Sequence, residues 1–231
     1  MTRILLKVSG EMLGVDGRTA SLSALQELAR GVRLLQERSF EVAMVVGGGN
    51  IWRYRDFTDL DLHPASSDAL GMLATQINAR LIQDFCRQAG LKATAFAAHA
   101  NPYFMEEYAP FKVQEALTKG DLVILGGGTG NPFFTTDTTS VLRALELSCD
   151  VFLKATKVDG VYSEDPEKNP SAQRFDQITY KEVLDRKLGV MDLTAVTLAD
   201  ERQLPIRVFS WNTADDLVTA ALGQRGTLIH S

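Results

Sequence analysis

Twelve consecutive residues, Gly126-Gly127-Gly128-Thr129-Gly130-Asn131-Pro132-Phe133-Phe134-Thr135-Thr136-Asp137, gather groups suited to holding an anion. Glycine lets a backbone approach a ligand closely, and the free N–H groups at a helix start favour negative charge. Hydroxyls at Thr129, Thr135 and Thr136 add donors, and Asp137 sits where a carboxylate can orient a cation. Two further glycine turns, Lys7-Val8-Ser9-Gly10 and Gly47-Gly48-Gly49-Asn50, follow apolar runs of their own. One such turn is plain geometry as often as not. Three at the ends of successive strands indicate a shared crevice, because open parallel sheets bind ligands at the carboxyl ends of their strands. The chemistry implied is phosphate handling. No Gly-Lys-Ser/Thr closes any of these loops, so none is a Walker A loop. Gly126-x-Gly128 lacks the third glycine of a dinucleotide fingerprint, and Pro132 interrupts the turn into the helix.

The candidate cations are few. Lys7 stands in an otherwise apolar run, either as a snorkelling edge residue or as a cation aimed from a strand end at phosphate. Arg53, four residues beyond Gly49, is a second candidate, although a lone loop arginine is commonly a solvated one. Lys154 and Lys157 flank Thr156 after another apolar run and are open to both readings. Asp68 either complements the positive end of a helix or accepts hydrogen bonds from sugar hydroxyls.

The elements that must place these residues alternate between β and α. Ile4 to Val8, Val42 to Val46, Lys92 to Ala97, Leu122 to Leu125, Val151 to Ala155, Ile206 to Phe209 and Thr227 to Ile229 read as strands. A loop through Gly14 and Gly17 leads to Ser21, a plausible N-cap for Leu22, Leu25, Leu28, Val32 and Leu35 at helical spacing. Pro64 to Gln88 reads as one long helix closed by Gly90, residues 98–111 as irregular, and a helix follows Asp137. Residues 179–204 read as two helices with Gly189 between them, and Leu217 to Leu222 as the last helix. Strands without polar alternation suit a parallel sheet covered on both faces. The expected fold is therefore α/β: a three-layer α/β/α sandwich with a mainly parallel central sheet.

At 231 residues, with 45% hydrophobic and 23% charged content, the chain fits a single domain over residues 1–231 or two intimate lobes dividing near 148–150. A net charge of −5 argues against a general nucleic-acid surface. Cys86 and Cys149 have no metal-type spacing and read as buried thiols; His63, His99 and His230 are scattered, so no protein-held metal site is expected. No apolar stretch approaches the roughly 20 residues of a membrane span, and no signal-peptide core opens the chain, so a cytoplasmic setting without membrane partners is expected.

Lys7-Val8-Ser9-Gly10-Glu11, Gly47-Gly48-Gly49-Asn50, Gly71-Met72-Leu73-Ala74-Thr75, Gly128 to Asp137, Leu153 to Val161 and Met191-Asp192 resemble the bacterial uridylate kinases of the amino acid kinase superfamily. The resemblance runs in order over nearly the whole chain, through Leu204 to Phe209 and Gly226 to Ile229. It implies the amino acid kinase fold and direct transfer of the γ-phosphoryl group of Mg·ATP to UMP, with Mg²⁺ as the accompanying ion. It further implies that Lys7, Ser9 and Gly10 face the ATP phosphates and that Gly49 and Arg53 close round the transferred group. Gly48, Asp68 and the run Thr129, Gly130, Asn131, Pro132, Phe133, Phe134, Thr135 and Thr136 would hold UMP. Thr156, Tyr162 and Asp165 would line the adenosine pocket, and Asp137 would orient Lys7. An acceptor lobe of about 1–148 and an ATP lobe of about 149–231 follow, as does a homohexamer. The family's effectors are GTP and UTP; Ala98 to Lys119 is mixed or acidic where many members are basic, which leaves GTP activation open.

Two rivals remain at this stage. One is a superfamily kinase acting on a carboxylate, carbamate or isopentenyl phosphate, which only the acceptor half distinguishes. The other is a non-catalytic relative that binds nucleotide or stores oxyanions, as the molybdenum storage proteins do. Retention of Lys7, Arg53 and Asp137 together speaks for chemistry.

Overall fold

Unbroken apolar side chains make the central strands of this chain internal, and the computed structural model, which describes residues 1–14, 18–166 and 168–231, places them so. In chain order the elements are β1 (Thr2–Val8), α1 (Gly10–Leu13), α2 (Leu22–Glu37), β2 (Phe40–Val46), α3 (Pro64–Gln88), β3 (Ala93–Ala97), β4 (Glu106–Glu107), α4 (Pro110–Thr118) and β5 (Leu122–Gly126). There follow α5 (Thr136–Glu146), β6 (Val151–Thr156), β7 (Gln177–Thr179), α6 (Tyr180–Asp185), α7 (Leu193–Glu201), β8 (Ile206–Ser210), α8 (Ala214–Ala221) and β9 (Thr227–His230). Short 3-10 turns occupy Tyr54–Asp56 and Thr58–Leu60. The strands form one sheet ordered β4-β3-β5-β2-β1-β6-β8-β9-β7. Neighbours are parallel throughout except β8 with β9.

Each face of the sheet carries its own core. Ile4, Leu6 and Val8 of β1 pack with Leu28 and Val32 of α2, Ile82 of α3 and Leu217 of α8. Leu5, between them in sequence, points the other way, into a core with Val113 of α4, Val141 of α5, Val183 of α6 and Val196 of α7. This alternation is the period-two geometry of a strand. It yields the expected α/β/α sandwich. Cys86 and Cys149 are buried and free, and burial pushes both thiols up to about 12, so neither is a nucleophile at neutral pH.

Most element positions match the sequence reading, and Pro64–Gln88 matches at both ends. Ser21 caps α2 with its hydroxyl near Ala24 N, at 3.5 Å. The loop expected through Gly17 falls partly outside the described residues. The segment read as irregular is more ordered than expected: Asn101 bridges Met105, β4 pairs with β3, and α4 starts at Pro110. Proline at the first helical turn costs nothing there, because that N–H has no intrahelical partner. α8 begins at Ala214, ahead of Leu217, because the Asp216 carboxylate accepts from the N–H groups of Asn212 and Thr213, both at 2.9 Å.

β1 is the pivot of the sheet, with β2 on one side and β6 on the other. Loops leaving β1, β2, β5 and β6 therefore open on a common crevice. Their crossing is tight. A Cβ on Gly10 would stand 2.9 Å from both Gly47 O and Gly49 N. Asn78 of α3 locks the crossing by donating to Gly47 O at 2.7 Å and Asn50 Oδ1 at 2.8 Å. Gly10→Ala is expected to destabilise the fold by about 1–3 kcal/mol, as overpacking does. A urea midpoint unchanged from the parent would contradict that reading of the crossing.

Candidate active site

Lys7 and Lys154 are register partners on the adjacent parallel strands β1 and β6, so their side chains leave the same face. They are only 8% and 7% exposed. Two buried ammonium groups side by side demand a counter-charge. Asp137, in the first turn of α5, supplies it: Oδ1 lies 3.1 Å from Lys7 Nζ and Oδ2 accepts from Lys154 Nζ at 2.5 Å. Lys154 also donates to Val190 O at 2.5 Å. Lys7 is thus an interior cation, and the snorkelling edge reading of it is corrected. The Lys7 ammonium turns one donor toward Asp137 Oδ1, which leaves it others to spare.

The electrostatics are those of a strongly coupled trio. Burial works to raise the Asp137 pKa, but Lys154 and Lys7 outweigh it and hold the carboxyl below its ordinary 3.8. Burial, aided by Lys7, pulls the Lys154 ammonium below its ordinary 10.5 against the attraction of Asp137. The trio carries one net positive charge: two ammonium groups against one carboxylate.

α5 starts where it does because Thr135, extended at φ −81°, ψ 170°, caps it. Its hydroxyl oxygen accepts from Asp137 N at 3.0 Å and Thr138 N at 3.2 Å. The Thr135 hydroxyl in turn donates to Asp192 Oδ2 at 2.5 Å, and Thr138 donates to Asp192 Oδ1 at 2.7 Å. Asp192 is itself the cap of α7. These bonds tie the opening turns of α5 and α7 into one frame beneath the trio.

Two cavities lie beside these residues. The larger, about 800 Å³, is lined by Lys7, Ser9, Lys154, Thr156, Tyr162 and Asp165 among others, with Val161, Leu188 and Val208 giving an apolar wall. The smaller, about 250 Å³, is lined by Gly48, Gly49, Asp68, Asn131, Phe134 and Thr136, with Trp52 and Tyr54. Thr136 faces the small cavity while its neighbour Asp137 holds the lysines that face the large one. Gly48 leaves room there because a Cβ would meet Gly71 O of α3 at 2.9 Å.

The remaining expected residues fall around these spaces. Asp68 Oδ2 accepts from Phe133 N at 2.8 Å and so pins the glycine-rich loop to α3. Phe133 sits at φ 69° and is exposed. Thr129 is spent within the loop, exchanging hydrogen bonds with Asn131 at 3.1 Å, and Gly130 O meets His99 Nε2 at 2.7 Å. Pro132 lies in the exposed part of the loop. Gly10 lies under the crossing glycines. Arg53 lines neither cavity; its Nε donates to Gly49 O at 2.6 Å and its guanidinium pairs with Glu11. Lys157 is 74% exposed, at the rim of the larger cavity and 3.7 Å from Glu11.

Some residues that build the site were given no role from sequence: Thr75 stood only inside a quoted motif, and Asn78 and Arg143 were not singled out. Thr75 accepts from Gly127 N at 2.7 Å, and Arg143 donates to Gly128 O at 3.3 Å while lying 3.9 Å over the Tyr108 ring. Lone polar residues on buried faces, such as Asn78 and Arg143, were the available signal.

The amino acid kinase family model matches residues 2–210. The chain is 43% identical to the uridylate kinase of Stutzerimonas stutzeri, covering 98% of this chain and 93% of that one. It is 42% identical to the uridylate kinase of Bacteroides thetaiotaomicron, covering 99% and 98%. The UMP kinase structure from Bacillus anthracis superimposes with a TM-score of 0.96 at 32% identity, over 99% of this chain and 96% of that one. The chain belongs to the amino acid kinase family and, within it, to the uridylate kinases.

Proposed function

We propose that this protein is a UMP kinase: it moves the γ-phosphoryl group of Mg·ATP onto the α-phosphate of UMP, giving UDP for UTP and CTP synthesis. The observation that carries this reading is the buried Lys7–Asp137–Lys154 trio, whose lysines line the larger cavity and whose aspartate is next in sequence to Thr136, in the wall of the smaller one. The larger cavity suits ATP, with Ser9 and Lys7 toward the phosphates and Thr156, Tyr162 and Asp165 toward adenosine. The smaller suits UMP, with Asp68 turned to the ribose and Gly48, Asn131, Phe134 and Thr136 about the rest. Residues up to about 148 would then form the acceptor lobe and 149–231 most of the donor lobe.

Phosphoryl transfer asks a protein to align two anions and neutralise charge on the transferred group. The acceptor phosphate is already a nucleophile, so no general base is needed, and none of the histidines lines either cavity. Lys7 offers its spare donors to the transferred oxygens, and Lys154 adds a second charge from the neighbouring strand. Asp137 keeps both ammonium groups aimed and apart. Gly49 lines the acceptor side, with Arg53 held behind it on Gly49 O and needing to leave Glu11 to close round the transferred group. Gly10 keeps the backbone close, and the α5 start beyond Thr135 presents its dipole to phosphate. Mg²⁺ enters as part of the substrate. Among the described residues no three His, Cys, Asp or Glu side chains gather to hold a metal. That suits an ion carried mainly by phosphate oxygens, with Asp137 the nearby carboxylate, its Oδ1 3.1 Å from Lys7 Nζ.

Assembly and setting belong to the same reading. Leu70, Leu73 and Ile77 expose an apolar stripe on α3, which supports a homo-oligomer, a hexamer by resemblance. A cavity of about 480 Å³ with Arg80, Arg87 and Lys112 offers GTP or UTP a cationic place despite the acidic segment beside it. Among the described residues no helix is long and apolar enough to cross a membrane, in keeping with a cytoplasmic enzyme.

A coupled assay across UMP, CMP, dUMP and small carboxylates, with and without GTP and UTP, tests the assignment. UMP should give the highest kcat/KM; preference for a carboxylate, or ATP binding with no transfer to any acceptor, would defeat it. Asp68→Ala should raise KM for UMP by about tenfold or more, the loss of a charge-assisted hydrogen bond, and change KM for ATP far less. Equal rises in both constants would take Asp68 out of the acceptor site.

A further inference from the structure

Behind the donor cavity, on the far side of the Asp159–Tyr162 turn, lies a separate hollow of about 410 Å³ whose lining includes Arg174, Arg207 and Arg225. Two of these guanidinium groups are neutralised. Arg174 pairs with Asp159 at 3.3 Å and Asp176 at 3.2 Å, and Arg225 pairs with Asp216 at 2.9 Å. Arg207 is not. It projects from the internal strand β8, is partly buried, and bonds only a backbone carbonyl, Arg225 O, at 3.3 Å. Among the described residues no carboxylate pairs with it, and desolvation alone pulls its pKa down. Beside it, Arg225 Nε is buried with no hydrogen-bond partner. A half-desolvated guanidinium without a counter-ion is costly unless something supplies one.

We propose that this hollow binds a free phosphate-type oxyanion, held by the Arg207 fork with Arg225 and Arg174 at its sides, and that its occupancy is coupled to the donor cavity. The lining is arginine, aspartate, glycine and glutamine, with no aromatic or aliphatic residue on which a base would stack. Inorganic phosphate or pyrophosphate therefore suits it better than a nucleotide. Gly223 and Gly226, at φ 79° and 83°, let the backbone turn close against the arginines, and a Cβ on Gly223 would lie 3.5 Å from Arg207 Nη2. The route to the donor cavity is short. Arg174 holds Asp159, Asp159 accepts from the Tyr162 hydroxyl at 2.7 Å, and Tyr162 lines the donor cavity. Gly160 packs so closely on Arg174 that a Cβ there would stand 2.9 Å from Arg174 Cδ. An anion that draws Arg174 from Asp159 changes what holds Tyr162, and such coupling is reciprocal.

Calorimetric titration of the full protein with pyrophosphate tests this, with both substrate cavities saturated by UMP and a non-hydrolysable ATP analogue. One saturable site is expected, weakened tenfold or more in Arg207→Gln, the loss of a charge-assisted contact, and unchanged in Lys7→Ala. Arg174→Gln, on the rim of the hollow, should weaken binding and abolish any effect of pyrophosphate on the apparent affinity for the ATP analogue. A nucleoside triphosphate added as competitor should displace pyrophosphate poorly. No saturable binding, equal affinity in Arg207→Gln and the parent, or loss in Lys7→Ala instead would overturn the proposal.

Discussion

Lys7→Ala is expected to lower kcat for UDP formation by about 10²-fold or more, with KM for either nucleotide changing much less. An ammonium carries three donors, and Lys7 turns one toward Asp137 Oδ1 at 3.1 Å, so the others are free for an anion. Removing a preorganised donor that meets charge developing in the transition state costs on the order of 10²–10³ in rate elsewhere. Lys7→Arg should not restore the rate. The guanidinium is longer and planar, and the space between β1, β6 and α5 already holds Lys154 and Asp137. Steady-state kinetics with saturating UMP decides it. Turnover within a few-fold of the parent would remove Lys7 from the mechanism.

Asp137→Asn should injure both activity and stability. Without the carboxylate, two buried ammonium groups face one another, and breaking a buried ion pair by removing one partner typically costs about 3–5 kcal/mol. Lys154 limits that cost by giving up its proton, since its pKa is already pulled down. The pH windows of the dependence then differ between the proteins, although in both stability rises with pH. In the parent, Asp137 titrates below its ordinary 3.8, so its stabilisation is present above that value and is lost as pH falls through the folded pKa. In Asp137→Asn that acid-side slope disappears. The basic-side slope, present already in the parent through Lys154, grows: stability rises more steeply with pH, because the folded state binds fewer protons than the unfolded one until free lysine itself deprotonates. Urea denaturation at several pH values reads both slopes. Parallel curves for the two proteins would show that the trio is not coupled as described.

What the sequence made legible was the crevice, more than the way it is held. Lys7 and Lys154 give the same signal, a single charge inside an apolar strand within a quoted motif, yet the resemblance assigns only Lys7 a place at the phosphates. Their pairing depends on the register of β1 against β6, which are separated by more than half the chain and joined by no local pattern. Pro64–Gln88 was readable at both ends because Pro64 opens it and Gly90, at φ 82°, follows its close. α4 was not, since two prolines and several aromatics mask its short helical stretch. β7 is three residues long and is defined by its pairing with β9. Asp192 stood in a recognised motif, but its work lies in its bonds to Thr135 and Thr138 on another helix. Arg207 carried no signal of its own in the sequence; the fold leaves it without a carboxylate ion pair among the described residues.

The central claim is that two anions meet across the Lys7–Asp137–Lys154 trio and that a phosphoryl group passes directly between them. Rapid-quench analysis of enzyme mixed with γ-labelled Mg·ATP and UMP measures this most directly. The label should appear in the β-phosphate of UDP at the rate it leaves ATP, with no labelled protein at any time. Label released as free phosphate, or retained on the protein before UDP forms, would contradict it.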